Sequence, residues 1–263
     1  MKNHMQDVQS RPDSRNLPLQ KVGVKNVSYP IQVLDKLNKH QQTIGTIDLF
    51  ADLPHHFKGT HMSRFIEVFS RHHKNISMPN FLEMLEEIRR VLEAEEAFGT
   101  VRFPYFIEKT APVSRQKSLL RYECSFQGEV LRQNQHRFLV GIEVPVQTLC
   151  PCSKEISRFG AHNQRSYVRV LLQMGGFFWI EDIIALIESC ASAPLFTLLK
   201  REDERWITEH AYENPVFVED LVREVTMRIE ALGNFPWFSV EAENMESIHL
   251  HEAYASIERG NKV

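Results

Sequence analysis

Hydrophobic and polar residues alternate along much of the chain, as expected for half-buried β-strands. The stretch Thr43–Ala51 follows this period, and further strands are predicted at residues 22–33, 100–108, 119–128 and 136–148. We also expect His61–Phe69 to continue the strand period. Residues 80–98 differ, because their apolar positions recur every three or four residues; they predict an amphipathic helix with Asn80 as its N-cap.

The second half of the chain repeats this plan. A strand at residues 166–174 precedes helices at Ile180–Cys190 and Pro215–Leu232, and strands at 236–243 and 247–257 finish the chain. The first half shows a similar order, with its helical part at residues 79–97. We therefore predict an α+β protein of two related modules, residues 21–135 and 136–263, joined without a flexible linker. Residues 1–20 are expected to form a disordered N-terminal arm.

Composition narrows the class of protein. The 263 residues are 43% hydrophobic and 25% charged, which is typical of a soluble globular protein. A net charge of −3 predicts no general attraction to nucleic acid or to anionic membranes. Four cysteines are too few for a disulfide framework, so we expect a reducing cytoplasm. Of these, Cys124 and Cys190 are expected to be buried as small hydrophobic residues.

The pair Cys150 and Cys152, separated only by Pro151, is the strongest chemical signal. It follows a predicted strand, and loops at strand ends often carry catalytic groups. His162 comes ten residues after Cys152, and a thiolate beside an imidazole suits either a metal ion or covalent catalysis. The alternatives are two buried thiols or a structural zinc site, although no second pair has the spacing of a closed zinc site.

Two later stretches add candidates. His249 and His251 would share one face of a strand, which suits metal binding or proton transfer but equally a solvent-facing edge. The charge run at 200–205 is typical of a solvated loop, and one of its three acids could complete a metal site. The residues alone do not choose among Glu202, Asp203 and Glu204.

Acidic and basic candidates for ligand binding complete the set. Glu219 and Asp220 lie at a predicted helix start, where the helix dipole alone accounts for acids, although a carboxylate there also suits a guanine-like edge. Two cations, a hydroxyl and an imidazole lie within residues 58–64, a composition that suits phosphate but is not specific.

With these residues assembled, the chain resembles the type IB GTP cyclohydrolases of bacteria. The matching stretches span roughly residues 45 to 257 in the family's order. They are Lys58-Gly-Thr-His-Met-Ser-Arg-Phe, Pro145-Val-Gln-Thr-Leu-Cys-Pro-Cys-Ser-Lys-Glu-Ile-Ser, Ala161-His-Asn-Gln-Arg-Ser, Leu198-Leu-Lys-Arg-Glu-Asp-Glu, Ala211-Tyr-Glu-Asn-Pro-Val-Phe-Val-Glu-Asp and Glu246-Ser-Ile-His.

The resemblance implies a fold and an assembly. The family uses tandem tunnelling-fold modules, antiparallel sheets with paired helices on one face, which close into barrels when chains associate. It implies a homotetramer with active sites at subunit boundaries, acting on GTP without nucleic acid or membrane partners.

The resemblance also implies a reaction. The family converts GTP and water into 7,8-dihydroneopterin triphosphate and formate, the first step of folate or tetrahydropterin biosynthesis, by hydrolysing cyclic amidine C–N bonds. One divalent metal per site, zinc, manganese or iron, would polarise the water that attacks C8 of the purine.

The family's site maps onto named residues of this chain. The implied metal ligands are Cys150, His162, Glu204 and His249. Cys152 and His162 would take part in proton transfer, with Cys152 as a proton carrier or an alternative ligand, and Glu219 would bind guanine. The residues implied for the triphosphate are Lys58, His61, Ser63, Arg64, Lys154 and Arg165.

Two other functions stay open at this point. A nitrile reductase of the same fold would use a cysteine thioimide and NADPH without metal. A non-catalytic metal-binding or scaffold protein would keep the fold but release no product from GTP.

Overall fold

The computed structural model describes residues 14–55 and 57–261, apart from the side chain of Asn134. The described part of the chain contains nine strands and six α-helices. The strands are β1 (Leu19–Asp35), β2 (Lys39–Leu53), β3 (Ala97–Thr110), β4 (Lys117–Val130), β5 (His136–Leu149), β6 (Asn163–Gln173), β7 (Ala193–Pro194), β8 (Trp237–Met245) and β9 (Ala253–Gly260). The helices are α1 (Met62–His72), α2 (Met78–Val91), α3 (Pro151–Ile156), α4 (Ile180–Glu188), α5 (Arg201–Glu213) and α6 (Val218–Leu232).

The strands form one sheet in the order β1-β2-β3-β4-β5-β6-β8-β9, and β7 pairs with β5. The prediction of tandem tunnelling-fold modules, whose antiparallel sheets close into barrels when chains associate, is therefore wrong. Strands β3, β4 and β5 are 14 residues long, and each contributes residues to both compact units of the chain. Alternating polarity reports that a strand exists and which face is buried, but it does not report which sheet the strand joins.

One compact unit contains the described residues up to Phe103 together with Ser125–Leu139. Phe65, Phe69, Phe81 and Leu85 are fully buried in its core. The strand predicted at His61–Phe69 is wrong, because these residues form most of α1. The buried positions of α1 are spaced by three and one residues, as on one face of a helix. A helix in the region of residues 80–98 is confirmed as α2, but its N-cap is Ser77 and not Asn80, and it ends at Val91 rather than near Phe98.

The other unit contains Pro104–Cys124 and everything from Val140 onwards. Its antiparallel strands pair β6 with β8 and β8 with β9, so that Ser166 lies opposite Asn244 and Asn244 opposite Ala253. Helix α6 buries an apolar stripe that includes Leu221, Val225 and Ile229. None of the described helices is long and apolar enough to cross a bilayer.

The charge run at residues 200–205 is helical, not a loop. It begins α5, whose first turn is capped by the Asp203 carboxylate, which accepts a hydrogen bond of 2.8 Å from the Lys200 backbone N–H. Acidic residues are favoured in the first turn of a helix, so the same charges that indicate a solvated loop also stabilise this helix start.

The expected N-terminal arm, residues 1–20, lies mostly outside the described residues. Leu19 already begins β1, where it pairs with Leu53.

Candidate active site

Cys150 lies at the junction between β5 and α3. Its backbone is extended, and Pro151 occupies the first position of α3, where its missing N–H costs no hydrogen bond. The Cys150 Sγ accepts a hydrogen bond of 3.3 Å from the Ser153 N–H. The short helix therefore fixes the direction of the thiol.

Ser153 also holds the returning loop against this junction. Its hydroxyl donates to the Cys150 carbonyl at 3.2 Å and accepts from the His162 N–H at 3.2 Å. The Cys150 N–H donates to the His162 carbonyl at 3.1 Å. Three hydrogen bonds thus keep the backbone of His162 beside Cys150, as the sequence pattern predicts.

A chain of hydrogen bonds orients the His162 ring. Its Nδ1 lies 3.0 Å from Gln164 Oε1, and Gln164 Nε2 donates to Thr148 Oγ1 at 2.9 Å. Thr148 Oγ1 in turn lies 2.8 Å from Ser166 Oγ, inside the protein. Because an amide oxygen only accepts, His162 Nδ1 donates in this contact, and Nε2 is the ring nitrogen that Gln164 does not engage. The Glu246 carboxylate, 3.6 Å from Nδ1, favours the same tautomer.

Cys150, His162 and Gln164 line a pocket of about 290 Å³, at the lower end of the range for small-molecule sites. Its polar residues include Cys150, His162, Glu219, Glu246, His249 and His251. Glu219 reaches the pocket because Val216 N–H donates to the Leu149 carbonyl at 3.0 Å. That bond ties the segment before α6 to the end of β5, so the first turn of α6 lies next to Cys150.

His249 and His251 lie between β8 and β9 rather than in a strand, so the strand predicted at residues 247–257 begins too early. Both side chains are exposed, and their rings stack with centroids 5.0 Å apart and planes 19° apart. Both histidines therefore line the pocket from this loop with their rings stacked, and not from one face of a strand as predicted.

The pocket also contains residues that the sequence reasoning missed. Gln164 and Asn244 are buried amides that line it, and Glu246 is a half-buried carboxylate beside His162. Asn244 Oδ1 has no hydrogen-bond partner among the described residues. For the two amides, the available signal was that they continue the inward period just beyond the predicted strands at 166–174 and 236–243, where a polar residue is unfavourable unless it is paired or binds a ligand.

The implied metal ligands are not all together in one chain. Cys150, His162 and His249 share the pocket, whereas Glu204 is exposed on α5 and does not line it. Within residues 14–55 and 57–261, no three His, Cys, Asp or Glu side chains are grouped closely enough to hold a metal ion. The donor types suit zinc, but the expected set does not fit a metal ion within a single chain.

Asp203, the neighbour of Glu204, has a structural environment. Burial alone would raise the pKa of Asp203, but hydrogen bonds from the Ser114 hydroxyl and from the N–H groups of Ser114, Lys200 and Val113 outweigh it. The pKa of this carboxyl is therefore held well below its usual range. The Asp203 carboxylate therefore has a structural role, because it joins α5 to the loop after β3.

The remaining predicted residues lie outside this pocket. Cys152 is exposed on α3, and Lys154 Nζ donates to the Tyr212 carbonyl and lies 4.4 Å from the centre of the Tyr212 ring. Arg165 is exposed and lines a different pocket beside Tyr167. The other four, Lys58, His61, Ser63 and Arg64, belong to the first unit.

The two remaining cysteines are buried, as predicted. Burial raises the pKa of the Cys124 thiol, and it raises the pKa of Cys190 to about 11. Both thiols are therefore protonated near neutral pH and are poor nucleophiles.

Solved structures of urate oxidases share this fold. The structure of urate oxidase from Bacillus subtilis 168 has a TM-score of 0.54 at 9% identity, covering 92% of this chain and 99% of that one. A urate oxidase from Bacillus sp. TB-90 has a TM-score of 0.53 at 8% identity, covering 93% of this chain and 100% of that one. At such identities the likeness concerns the fold alone. The single antiparallel sheet and this likeness replace the tandem tunnelling-fold description.

Sequence comparison is more specific. The family described as type I GTP cyclohydrolase FolE2 matches residues 5–255. GTP cyclohydrolase FolE2 of Geobacter metallireducens is 52% identical over 259 residues, covering 98% of each chain. GTP cyclohydrolase FolE2 of Syntrophus aciditrophicus is 54% identical over 255 residues, covering 97% of this chain and 100% of the relative. The chain therefore belongs to the type I GTP cyclohydrolase FolE2 family.

Proposed function

We propose that the pocket beside Cys150 is where this chain performs the reaction of its family. The chain is a GTP cyclohydrolase of folate biosynthesis, because the family matches almost its whole length and relatives with that name are about half identical over it. We further propose that it converts GTP and water into 7,8-dihydroneopterin triphosphate and formate. The observation that supports this best is the pocket that brings together Cys150, His162 and Glu219.

Glu219 is proposed to bind the guanine base. Its exposed carboxylate lines the pocket from the first turn of α6, and it has two oxygens side by side. Guanine offers two parallel donors, N1–H and the 2-amino group, and a carboxylate pairs with both in one plane. Adenine has no hydrogen at N1, so the same contact would select guanine.

His162 is proposed to deliver the proton that opens the purine. Water adds to C8 while N7 takes a proton, and the C8–N9 bond then breaks to leave a formyl group on N7. A second water hydrolyses the N7–C8 bond and releases formate. With Nδ1 held by Gln164, only Nε2 of His162 is available to carry that proton. The Glu246 carboxylate lies 3.6 Å from Nδ1 and helps to hold the ring in this orientation.

The cofactor is proposed to be one divalent metal ion per site, zinc, manganese or iron. Thiolate and imidazole donors suit zinc in particular, and Cys150 and His249 provide them at one pocket. His162, whose Nε2 is assigned to the transferred proton, is proposed as a neighbouring residue and not as a ligand. Glu204 is proposed as the remaining ligand. Because its carboxylate does not line the pocket of its own chain, we propose that it comes from a neighbouring chain.

We accordingly propose a homotetramer with active sites at the boundaries between chains. Large apolar side chains are exposed in the loops that carry the site, with Phe159 at 96% and Leu250 at 103% exposure. Such side chains are unfavourable in water and are common where another chain packs. The triphosphate is proposed to be bound by Lys58, His61, Ser63, Arg64, Lys154 and Arg165. Four cysteines without a disulfide fit a cytoplasmic location.

Mixing two inactive variants tests the shared site. Cys150→Ala and Glu204→Ala should each be inactive, and subunit exchange between them should restore part of the activity, because some mixed sites then contain both native residues. Mixing Cys150→Ala with His162→Ala is the matched control and should restore none, since both residues belong to one chain's pocket. Absence of complementation after proven subunit exchange would contradict the shared site.

Product analysis tests the reaction itself. Purified protein incubated with GTP and manganese should release formate and, after oxidation, a fluorescent pterin. Glu219→Ala should abolish GTP binding without changing metal content, whereas Asp220→Ala, whose carboxylate pairs with Arg223 at 2.8 Å, should leave both intact. Consumption of NADPH without formate would instead support a nitrile reductase, and bound metal without product would support a non-catalytic protein.

A further inference from the structure

Asn244 has a buried hydrogen-bonding atom that the protein leaves unused. The residue is 2% exposed, and its Oδ1 has no hydrogen-bond partner among the residues that the structure describes. Buried carbonyl oxygens are nearly always paired, because an unpaired one loses its hydrogen bonds to water without replacement. An exception of this kind at the wall of a pocket points to a ligand.

The position of Asn244 in the sheet explains why the protein does not satisfy it. Its strand neighbours on the same face are Ser166 on β6 and Ala253 on β9. The Ser166 hydroxyl is engaged with Thr148 at 2.8 Å, and alanine has no polar side-chain atom. Asn244 and Ala253 both line the pocket that contains Glu219. The unused oxygen therefore belongs to the wall that a bound base would meet.

We propose that Asn244 determines specificity for guanine by accepting a hydrogen bond from its 2-amino group. This inference rests on the proposed function, in which Glu219 accepts from N1–H and from one hydrogen of that amino group. The second amino hydrogen then lacks an acceptor, and Asn244 Oδ1 lacks a donor. A purine without the 2-amino group leaves the buried oxygen unpaired, so the site discriminates against it.

A second buried amide provides a matched control. Gln173 on β6 is 8% exposed, and its Oε1 also has no partner within the described chain, but it does not line the pocket. If an unpaired amide oxygen were only a local feature of packing, the two residues would respond alike to apolar substitution. If Asn244 binds the base, only its replacement changes ligand preference.

The test measures binding of two nucleotides to the full-length protein. 7-Deaza-GTP and 7-deaza-ITP differ only by the 2-amino group, and carbon at position 7 prevents the protonation that opens the ring, so calorimetry reports binding without turnover. Asn244→Leu should weaken binding of 7-deaza-GTP about tenfold and leave 7-deaza-ITP nearly unchanged. Gln173→Met should change neither dissociation constant. Without ligand, Asn244→Leu should melt at or above the wild-type temperature.

The outcomes separate this inference from the function on which it rests. Unchanged preference in folded Asn244→Leu, or equal weakening of both nucleotides, would overturn the contact with the 2-amino group. A wild-type chain that binds neither nucleotide would overturn the proposed function, and this inference with it. If Asn244→Leu does not fold, Asn244→Ser withdraws the acceptor from the same place and carries the same expectation.

Discussion

The hydrogen-bonded chain from Ser166 to His162 is open to a sharp test through Thr148. The Thr148 hydroxyl is its central link, since it accepts from Gln164 Nε2 at 2.9 Å and lies 2.8 Å from Ser166 Oγ. Thr148→Val keeps the shape of the side chain and removes only that hydroxyl. The substitution therefore leaves two buried polar groups, one on Gln164 and one on Ser166, each without this partner.

The expected loss of stability follows from those two groups. Gln164 is 7% exposed and Ser166 is fully buried, so water does not readily replace the lost bonds. A buried group left unpaired costs about 1–3 kcal/mol, so the two groups together should lower the free energy of unfolding of Thr148→Val by about 2–6 kcal/mol. Adding Ser166→Ala removes one of the two unpaired groups. The double variant should therefore lose about 1 kcal/mol less stability than the sum of the losses in the two single variants.

Urea unfolding followed by tryptophan fluorescence measures these differences. Thr226→Val is the matched control, because Thr226 is equally buried but its hydroxyl donates to the Val222 carbonyl at 2.7 Å within α6. That carbonyl still accepts the helical N–H of Thr226, so the control should cost less than about 1 kcal/mol. A Thr148→Val variant as stable as this control would refute the reasoning.

The same variant should affect catalysis through His162. Without Thr148, the Gln164 amide is free to turn, and His162 loses the contact that fixes its tautomer. We expect kcat to fall about tenfold, as for other residues that orient a catalytic imidazole, while the KM for GTP holds because Glu219 is untouched. If KM and kcat fall together, or if kcat does not change, Thr148 acts in packing and does not position His162.

Two further predictions concern single side chains. Asp203→Asn should destabilise the protein at neutral pH, because the folded-state pKa of Asp203 lies below its usual value. The stability that the Asp203 carboxylate contributes is present above about pH 4 and is lost as the pH falls. Melting temperatures measured between pH 3 and 7 should therefore converge for the variant and the wild type in acid. Cys150→Ala should remove bound metal and formate release together, measured by elemental analysis and product assay, whereas Cys190→Ala should keep both; retained metal in Cys150→Ala would contradict its role as a ligand.

Local pattern predicted the strands well, since alternation marks each long strand and one face of each is buried. It failed where two periods fit the same short segment, as at His61–Phe69, where apolar residues at Phe65, Val68 and Phe69 satisfy a helix. It also failed at residues 200–205, because acids that stabilise the first turn of α5 are also typical of a solvated loop. The division into two sheets failed because strand pairing is a tertiary property.

The site was predictable in part from chemistry. The spacing of Cys150 and His162, together with the strand end before them, placed both residues at one pocket, and the resemblance to a family placed Glu219 and His249 there. Gln164 and Asn244 were not predicted, because a lone amide in a strand has no motif. Their roles depend on partners from neighbouring strands, which no local pattern specifies.

Along β5, β6 and β8, the buried face of the sheet changes from apolar to polar residues near the pocket. One step away from the pocket, the inward residues of β5, β6 and β8 are Val146, Val168 and Ala242, all fully buried and apolar. At the next inward step the same strands carry Thr148, Ser166 and Asn244, which are equally buried but polar. Apolar residues at that step would pack at least as well, so packing alone does not account for the change. The buried face therefore turns polar on three strands at the end of the sheet where we propose that the nucleotide base binds.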